Sequence, residues 1–315
     1  MGQQQVFQRP PTEADSFIIR VMEGCPHNKC TFCGSFSNIP FRPVPLDEVM
    51  QGIGNDAREL GSRYIPMVKS LYLEGGDPIA LSTATLVRIM AHAKHFFPYL
   101  ERISCYSTVA QIKKKNDEEL SLLSLSGLKR VYVGIESGCD AILRDTQKGC
   151  TTEDMALAAE KLRNANIEND VSIMIGLGGK ELSERNAVET SRILNKMKPL
   201  CVRVRTFVPY FHTQMGDDYL HGRFTLLNPH EALCELRKLV ENIHENIFFL
   251  GEHWSNFIFF GVQLPEGKEK LLAGIDAALQ KSLVAFRPTG ITEFHAMATE
   301  REFYGRAQEG SPVQQ

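Results

Sequence analysis

The sequence predicts an α/β fold: a partial (β/α)6 barrel of the TIM-like kind with a C-terminal α+β extension. Short β-rich runs alternate with amphipathic helical stretches, the alternation persists from Phe17 to Val208, and the residues best suited to chemistry follow the runs at their C-terminal ends.

The β-rich runs are Phe17–Met22, Val68–Leu73, Arg102–Ser107, Arg130–Ile135, Asp170–Ile175 and Cys201–Val208. Between them Leu46–Leu60, Thr83–Phe97, Asn116–Leu123, Thr152–Asn164 and Glu181–Met197 carry apolar residues at helical spacing, and Asp47 and Glu48 suit a helix start. Strand–helix–strand units with right-handed crossovers wrap into a barrel or part of one. Farther on, Pro229–His244 and Gly267–Leu283 read as helices flanking a Phe-rich, strand-like stretch, Phe257–Val262. The expected division is a lead-in over 1–16, a barrel over 17–228, a C-terminal layer over 229–306 and a small, polar tail over 307–315.

With 315 residues, 43% of them apolar, the chain can fill such a core. Lys plus Arg total 35 against 38 Asp plus Glu, a formal charge of -3, so no net positive field gathers nucleic acid or anionic lipid. The longest apolar runs fall short of a membrane span and Met1–Pro11 is polar and Gln-rich, which together predict a cytoplasmic protein. In that setting eight cysteines point to metal or redox chemistry before disulfides.

Three of them are packed into Cys25-Pro-His-Asn-Lys-Cys30-Thr-Phe-Cys33, a segment whose Pro26 and Asn28 favour a loop. A structural zinc normally takes four ligands, usually as two separated pairs, and no second CxxC or HxxxH pair is present. Three thiolates leave a position open, as in a cubane cluster whose fourth iron takes a small-molecule ligand. Zinc, with His27 as the nearby fourth candidate, is the competing reading.

These residues resemble the cysteine loop of the radical S-adenosylmethionine superfamily, in which an aromatic residue, here Phe32, precedes the third cysteine. The spacing is CxxxxCxxC where the family usually has CxxxCxxC, and one added loop residue costs little closure entropy. The resemblance covers about Phe17 to Tyr210. It implies a [4Fe-4S] cluster on Cys25, Cys30 and Cys33, with S-adenosylmethionine on the remaining iron. It further implies reductive cleavage to a 5′-deoxyadenosyl radical that takes hydrogen from a substrate, and a ferredoxin or flavodoxin as electron donor.

The order of the remaining motifs fits. Glu74-Gly75-Gly76-Asp77-Pro78 looks like the family's GGE-type motif, whose backbone meets the methionine amino group; a tight turn is the plain alternative. Gly134-Ile135-Glu136-Ser137-Gly138, then Leu143 and Lys148-Gly149, resembles the elongator-type and coproporphyrinogen-dehydrogenase-like branch. There Glu136 would approach the amino group or ribose and Lys148 the methionine carboxylate, against a helix-terminal charge and a solvated lysine. Gly176, in Ile175-Gly176-Leu177-Gly178-Gly179, would stand at an adenine-contacting strand end or in an ordinary turn.

Arg203 and Arg205 share one face of a strand and seek either a ligand carboxylate or interior acids. His253-Trp254-Ser255-Asn256 and Tyr210–Gln214 would line a pocket, or else pack and connect. No second cysteine triplet is visible, which disfavours sulfur insertion. The substrate is unnamed, a small molecule being favoured over nucleic acid. A zinc-binding regulatory module and a tRNA-modifying radical enzyme stand as alternatives, the latter requiring a basic rim at the barrel mouth.

Overall fold

The computed structural model describes residues 9–36 and 39–291, so the expected tail over 307–315 and the end of the C-terminal layer lie outside the described residues. In chain order the elements are β1 (Phe17–Arg20), β2 (Met22–Glu23), β3 (Arg42–Pro43), α1 (Leu46–Leu60), β4 (Ser70–Glu74), α2 (Thr83–Phe96), β5 (Arg102–Ser107), α3 (Val109–Lys114), α4 (Asp117–Ser126) and β6 (Leu128–Glu136). They continue with α5 (Asp140–Asp145), α6 (Thr152–Asn164), β7 (Glu168–Ile175), α7 (Gly179–Met197), β8 (Cys201–Thr206), α8 (Gln214–Leu220), α9 (Pro229–Glu241), β9 (Ile247–Leu250), β10 (Gly261–Leu264) and α10 (Lys268–Leu279).

One eight-stranded sheet runs β1-β4-β5-β6-β7-β8-β9-β10, and β2 pairs β3 in a separate ribbon. Every neighbour pair from β1 to β9 is parallel; only β10 turns back, antiparallel to β9. The six expected strands therefore form the parallel barrel wall, and the C-terminal third continues that wall with β9 and β10. The strand-like stretch Phe257–Val262 is corrected here, since pairing begins only at Gly261. Phe257, Ile258 and Phe260 are apolar because they pack on the core, Phe260 stacking on Phe249 with ring centres 5.5 Å apart.

Helix starts follow their caps. Asn116, Thr151 and Asn228 each accept from the backbone three residues on and receive a carboxylate in return, a capping box that sets where α4, α6 and α9 begin. The helices pack in sequence around the outside, α1 on α2, α2 on α4, α4 on α6, α6 on α7, α7 on α9 and α9 on α10. Against them the strands turn Leu71, Leu73, Ile103, Val131, Val171 and Val202, all buried.

Strand alternation sends the next residues inward. Parallel barrels are usually filled there by branched apolar side chains; this one presents Tyr72, Ser104, Tyr106, Tyr132, Asp170, Ser172, Arg203 and Arg205. At the strand starts the interior is partly sealed by the lead-in. Glu13, fully buried, accepts hydrogen bonds from Ser16, from Tyr132 and, at 3.1 Å, from Arg102. Toward the strand ends the seal gives way, and Tyr106, Gly134, Ser172, Met174 and Arg205 are only half-buried.

Glu235 of α9 ties the C-terminal third to the barrel. Its buried carboxylate accepts from Gly176 N (2.9 Å), Ser183 Oγ (2.6 Å) and Asn186 Nδ2 (2.7 Å). Burial raises its pKa from 4.5 to about 7 against the pull of those donors. An acid raised on folding contributes stability that is complete below its unfolded pKa and lost as pH rises through the folded one. Relative to Glu235→Gln, the wild type is expected to lose on the order of 3 kcal/mol between about pH 4.5 and pH 7. Denaturant unfolding of both proteins across that range checks it; parallel stability–pH curves would contradict it.

Candidate active site

Cys25, Cys30 and Cys33 lie in the loop between β2 and β3, half-buried and free of disulfides. The loop is braced on three sides. Thr31 N donates to Thr146 O at 3.0 Å, Met215 N at the start of α8 donates to Thr31 O at 3.0 Å, and His27 Nε2 meets Gln147 O at 2.7 Å. His27 also packs on Gly149, where a Cβ would stand 2.6 Å from its ring. Phe32 belongs to a small apolar cluster with Ile142, Leu177, Phe207 and Met215, against which Cys30 and Cys33 are packed.

The thiols are close enough to act on one another electrostatically. Burial pushes the Cys30 thiol up to about 12, with Lys148 drawing it down and Cys33 and Cys25 raising it further; burial raises Cys25 as well. Such thiols bind metal by exchanging a proton for a cation, so loading is coupled to pH. Among the described residues no three His, Cys, Asp or Glu side chains are gathered as ligands of a single ion.

The Glu74–Asp77 turn lies beneath the loop, and its parts have distinct duties. Gly76 N donates to Gly24 O at 3.1 Å, and a Cβ on Gly76 would stand 2.4 Å from Gly24 O and 2.7 Å from Cys25 Cα. Gly75, at φ +144°, passes against Met22 in the same way. The glycine pair thus lets the cysteine loop cross the end of β4. Gly76→Ala puts a methyl into backbone and is expected to cost about 1–3 kcal/mol, as overpacking does. By contrast Gly52→Ala, on α1 with nothing within 4 Å, is expected to stabilise by about 0.5–1 kcal/mol. Thermal denaturation of the two variants checks the pair, and equal shifts would refute the crossing.

The acidic side chains of this turn have protein partners. Glu74 pairs with Arg20, its register neighbour on β1, at 2.7 Å. Asp77 is fully buried and accepts from Ser107 Oγ (2.8 Å), Thr108 N (2.9 Å) and Thr108 Oγ1 (2.6 Å), pinning the end of β4 to the end of β5. Burial raises Asp77 to about 6 despite those donors.

At the end of β6 the pairing with β7 slips between Gly134 and Glu136, and Glu136 takes φ +63°. A non-glycine residue there carries strain of order 1–3 kcal/mol, of the kind found at functional sites. Its carboxylate meets Lys148 Nζ at 2.9 Å, both side chains only 9% exposed, and that ammonium lies 5.7 Å over the Phe32 ring. Burial disfavours the charged Lys148, but Glu136, aided by Cys30 and Cys150, outweighs it and holds the ammonium above its usual range. The rest of this motif is packing: Ser137 Oγ donates to Asn186 Oδ1 at 2.6 Å, and Gly138 N donates to Thr190 Oγ1 at 2.8 Å.

The structure therefore brings Cys30, Phe32, Glu136 and Lys148 together, with Cys25, Cys33 and the Gly75-Gly76 turn beside them. Gly176 turns at φ +80° with its N–H on Glu235, and the next residue, Leu177, packs in the Phe32 cluster. Ser255 and Asn256 clamp the end of β8 through Thr206 N (3.1 Å), Thr206 Oγ1 (3.1 Å) and Val204 O (2.9 Å). Thr213 caps α8, so the Tyr210–Gln214 loop braces the cysteine loop. Arg203 pairs with Asp170 at 3.1 Å near the strand starts. A cavity of about 370 Å³ opens at that opposite end, lined in part by Thr12, Arg130, Asp170, Arg203, Phe248 and Gln263. Its two cations are already paired, to Glu168 and Asp170.

Sequence reasoning missed Arg20, Tyr72 and Tyr106. The available signal was strand alternation, which puts Arg20 and Glu74, and Tyr72 and Tyr106, on the inward face.

The family profile described as Radical SAM superfamily matches residues 19–190, more than half of the chain. The heme chaperone HemW of Bacillus subtilis is 23% identical over 256 residues, 74% of this chain and 65% of that protein, so the match spans less than two thirds of that relative. Coproporphyrinogen III oxidase (HemN) of Escherichia coli superposes with a TM-score of 0.51 at 15% identity, over 72% of this chain and 51% of that one. The methyltransferase TsrM of Kitasatospora setae, solved with cobalamin and a [4Fe-4S] cluster, gives 0.51 at 17% identity over 66% and 37%. At these identities the structural likenesses speak for the fold.

Proposed function

The chain belongs to the radical SAM superfamily, and on that premise we propose that Cys25, Cys30 and Cys33 hold a [4Fe-4S] cluster whose fourth iron receives S-adenosylmethionine. The observation that carries the reading is the meeting of three free, half-buried thiols with Phe32 and the Lys148–Glu136 pair at the open end of the barrel. That donor set fits the group: soft thiolates for iron, one ligand short of a closed site. When bound, the cluster supplies the electron that splits S-adenosylmethionine into methionine and a 5′-deoxyadenosyl radical able to take hydrogen from a substrate.

The chain's own residues bind and orient. Lys148 offers its ammonium to the methionine carboxylate, and Glu136 accepts from the amino group or the ribose hydroxyls. Because Glu74 and Asp77 hold Arg20, Ser107 and Thr108, the main chain of their turn is the part left to meet the amino group. The strand end at Gly176 borders the adenine. Phe32 and its apolar neighbours keep water from the loop. Among the described residues no helix is long and apolar enough to cross a membrane, and the proposed setting is the cytoplasm, with ferredoxin or flavodoxin as electron donor and a small molecule as substrate.

Anaerobic reconstitution followed by metal analysis tests the cluster. About four irons and four sulfides per chain, with visible-range absorption, are expected; one zinc and no colour would overturn it. The similarity to the heme chaperone HemW favours a second reading, haem capture, for which a Soret band on addition of haemin to the iron-free chain is the corresponding test.

A further inference from the structure

Inside the barrel the two arginines of β8 have different fates. Arg203 is paired with Asp170 and reaches Thr12 Oγ1 at 3.0 Å. Arg205, two residues nearer the open end on the same face, makes no hydrogen bond or ion pair among the described residues and is half-buried. Its register neighbour on β7 is Met174, which offers no charge. The guanidinium of Arg203 lies 5.7 Å over the Tyr132 ring, and that ring tilts against Tyr106 with centres 5.6 Å apart, so the inward face of β8 that carries Arg205 looks across the barrel toward the Tyr106 phenol.

Two phenols share this condition. The Tyr106 hydroxyl has no hydrogen-bond partner among the described residues. Tyr72, whose ring stands edge-on to Tyr106 at 6.2 Å, is 0% exposed, and its hydroxyl is likewise unpartnered. Unpaired polar groups beneath an open barrel end are costly unless something else satisfies them. A guanidinium fork with phenol donors beside it is complementary to an oxyanion.

We propose that Arg205, with Tyr106, anchors an oxyanion of the substrate inside the barrel, so that the substrate is an acidic small molecule, a carboxylate or a phosphate ester. The inference rests on the reading of this barrel as a radical SAM site and supplies its substrate class. Arg205 binds the substrate directly from the strand side, while the cysteine loop faces it from the strand ends.

The test is arginine modification by phenylglyoxal with peptide mass spectrometry, on the reconstituted chain and on the iron-free chain in parallel. Arg205 should react about tenfold or more faster than the paired Arg203. Saturating succinate or inorganic phosphate should slow the Arg205 adduct about fivefold or more, and neutral succinamide should not. Protection by succinate alone identifies a carboxylate, and protection by phosphate alone a phosphate ester. Protection by neither, or by S-adenosylmethionine alone, overturns the inference, the last outcome giving the cation to the cosubstrate. Because the iron-free chain answers the same question, failure of cluster assembly would leave this result standing on its own.

Discussion

Replacing any one of Cys25, Cys30 and Cys33 with alanine is expected to reduce iron retention roughly 100-fold or more, since even outer partners of metal ligands are worth 10- to 100-fold. Cys30→Ala is the sharpest case. Its thiol packs on the Phe32 cluster and lies in the field of Lys148, so truncation removes the proposed ligand without loosening the loop's backbone bonds. Cys234→Ala, at an exposed lone cysteine on α9, is the control and should keep its iron. Iron and sulfide analysis after anaerobic reconstitution reads the series, and equal iron in Cys30→Ala and Cys234→Ala would remove these cysteines from the centre.

The second large effect is expected at the Lys148–Glu136 pair. Lys148→Ala strands a buried carboxylate on a residue already held in the left-handed region, and removing one partner of a buried pair costs about 3–5 kcal/mol. Combining Lys148→Met with Glu136→Gln removes both charges and should return most of that loss, because the penalty is an uncompensated charge. Denaturant unfolding of the single and double variants measures it. A loss below about 1 kcal/mol in Lys148→Ala would mean that the pair is solvated and contributes little, as surface pairs do.

Where the apolar pattern was unbroken from end to end, the sequence was enough. Leu46–Leu60, Thr152–Asn164 and Arg102–Ser107 appear with the bounds their patterns imply, the second because Thr151 and Asp154 close a capping box. Short elements were not legible. Val109–Lys114, Asp140–Asp145 and Gln214–Leu220 are too brief to show a helical period, and Ile247–Leu250 is a short apolar run that periodicity cannot assign. Asn116–Leu123 shifts to Asp117–Ser126 because Asn116 is the cap and Gly127, at φ +118°, is the stop.

At the site, residue types were legible and their partners were not. The cysteine spacing and the Gly134–Gly149 stretch singled out residues that the fold brings into one place. Nothing in a linear reading announces that Gly76 is required by the crossing of Cys25, or that Asp77 spends its carboxylate on Ser107 and Thr108. The same limit applies to Arg203 and Arg205, alike in sequence and distinguished only by Asp170 one strand away.

The central claim is tested most directly by reducing the anaerobically reconstituted protein in the presence of S-adenosylmethionine and measuring 5′-deoxyadenosine by chromatography. The expected result is formation of 5′-deoxyadenosine by the wild type and none by Cys30→Ala; a wild type that carries a full complement of iron yet forms none would contradict it.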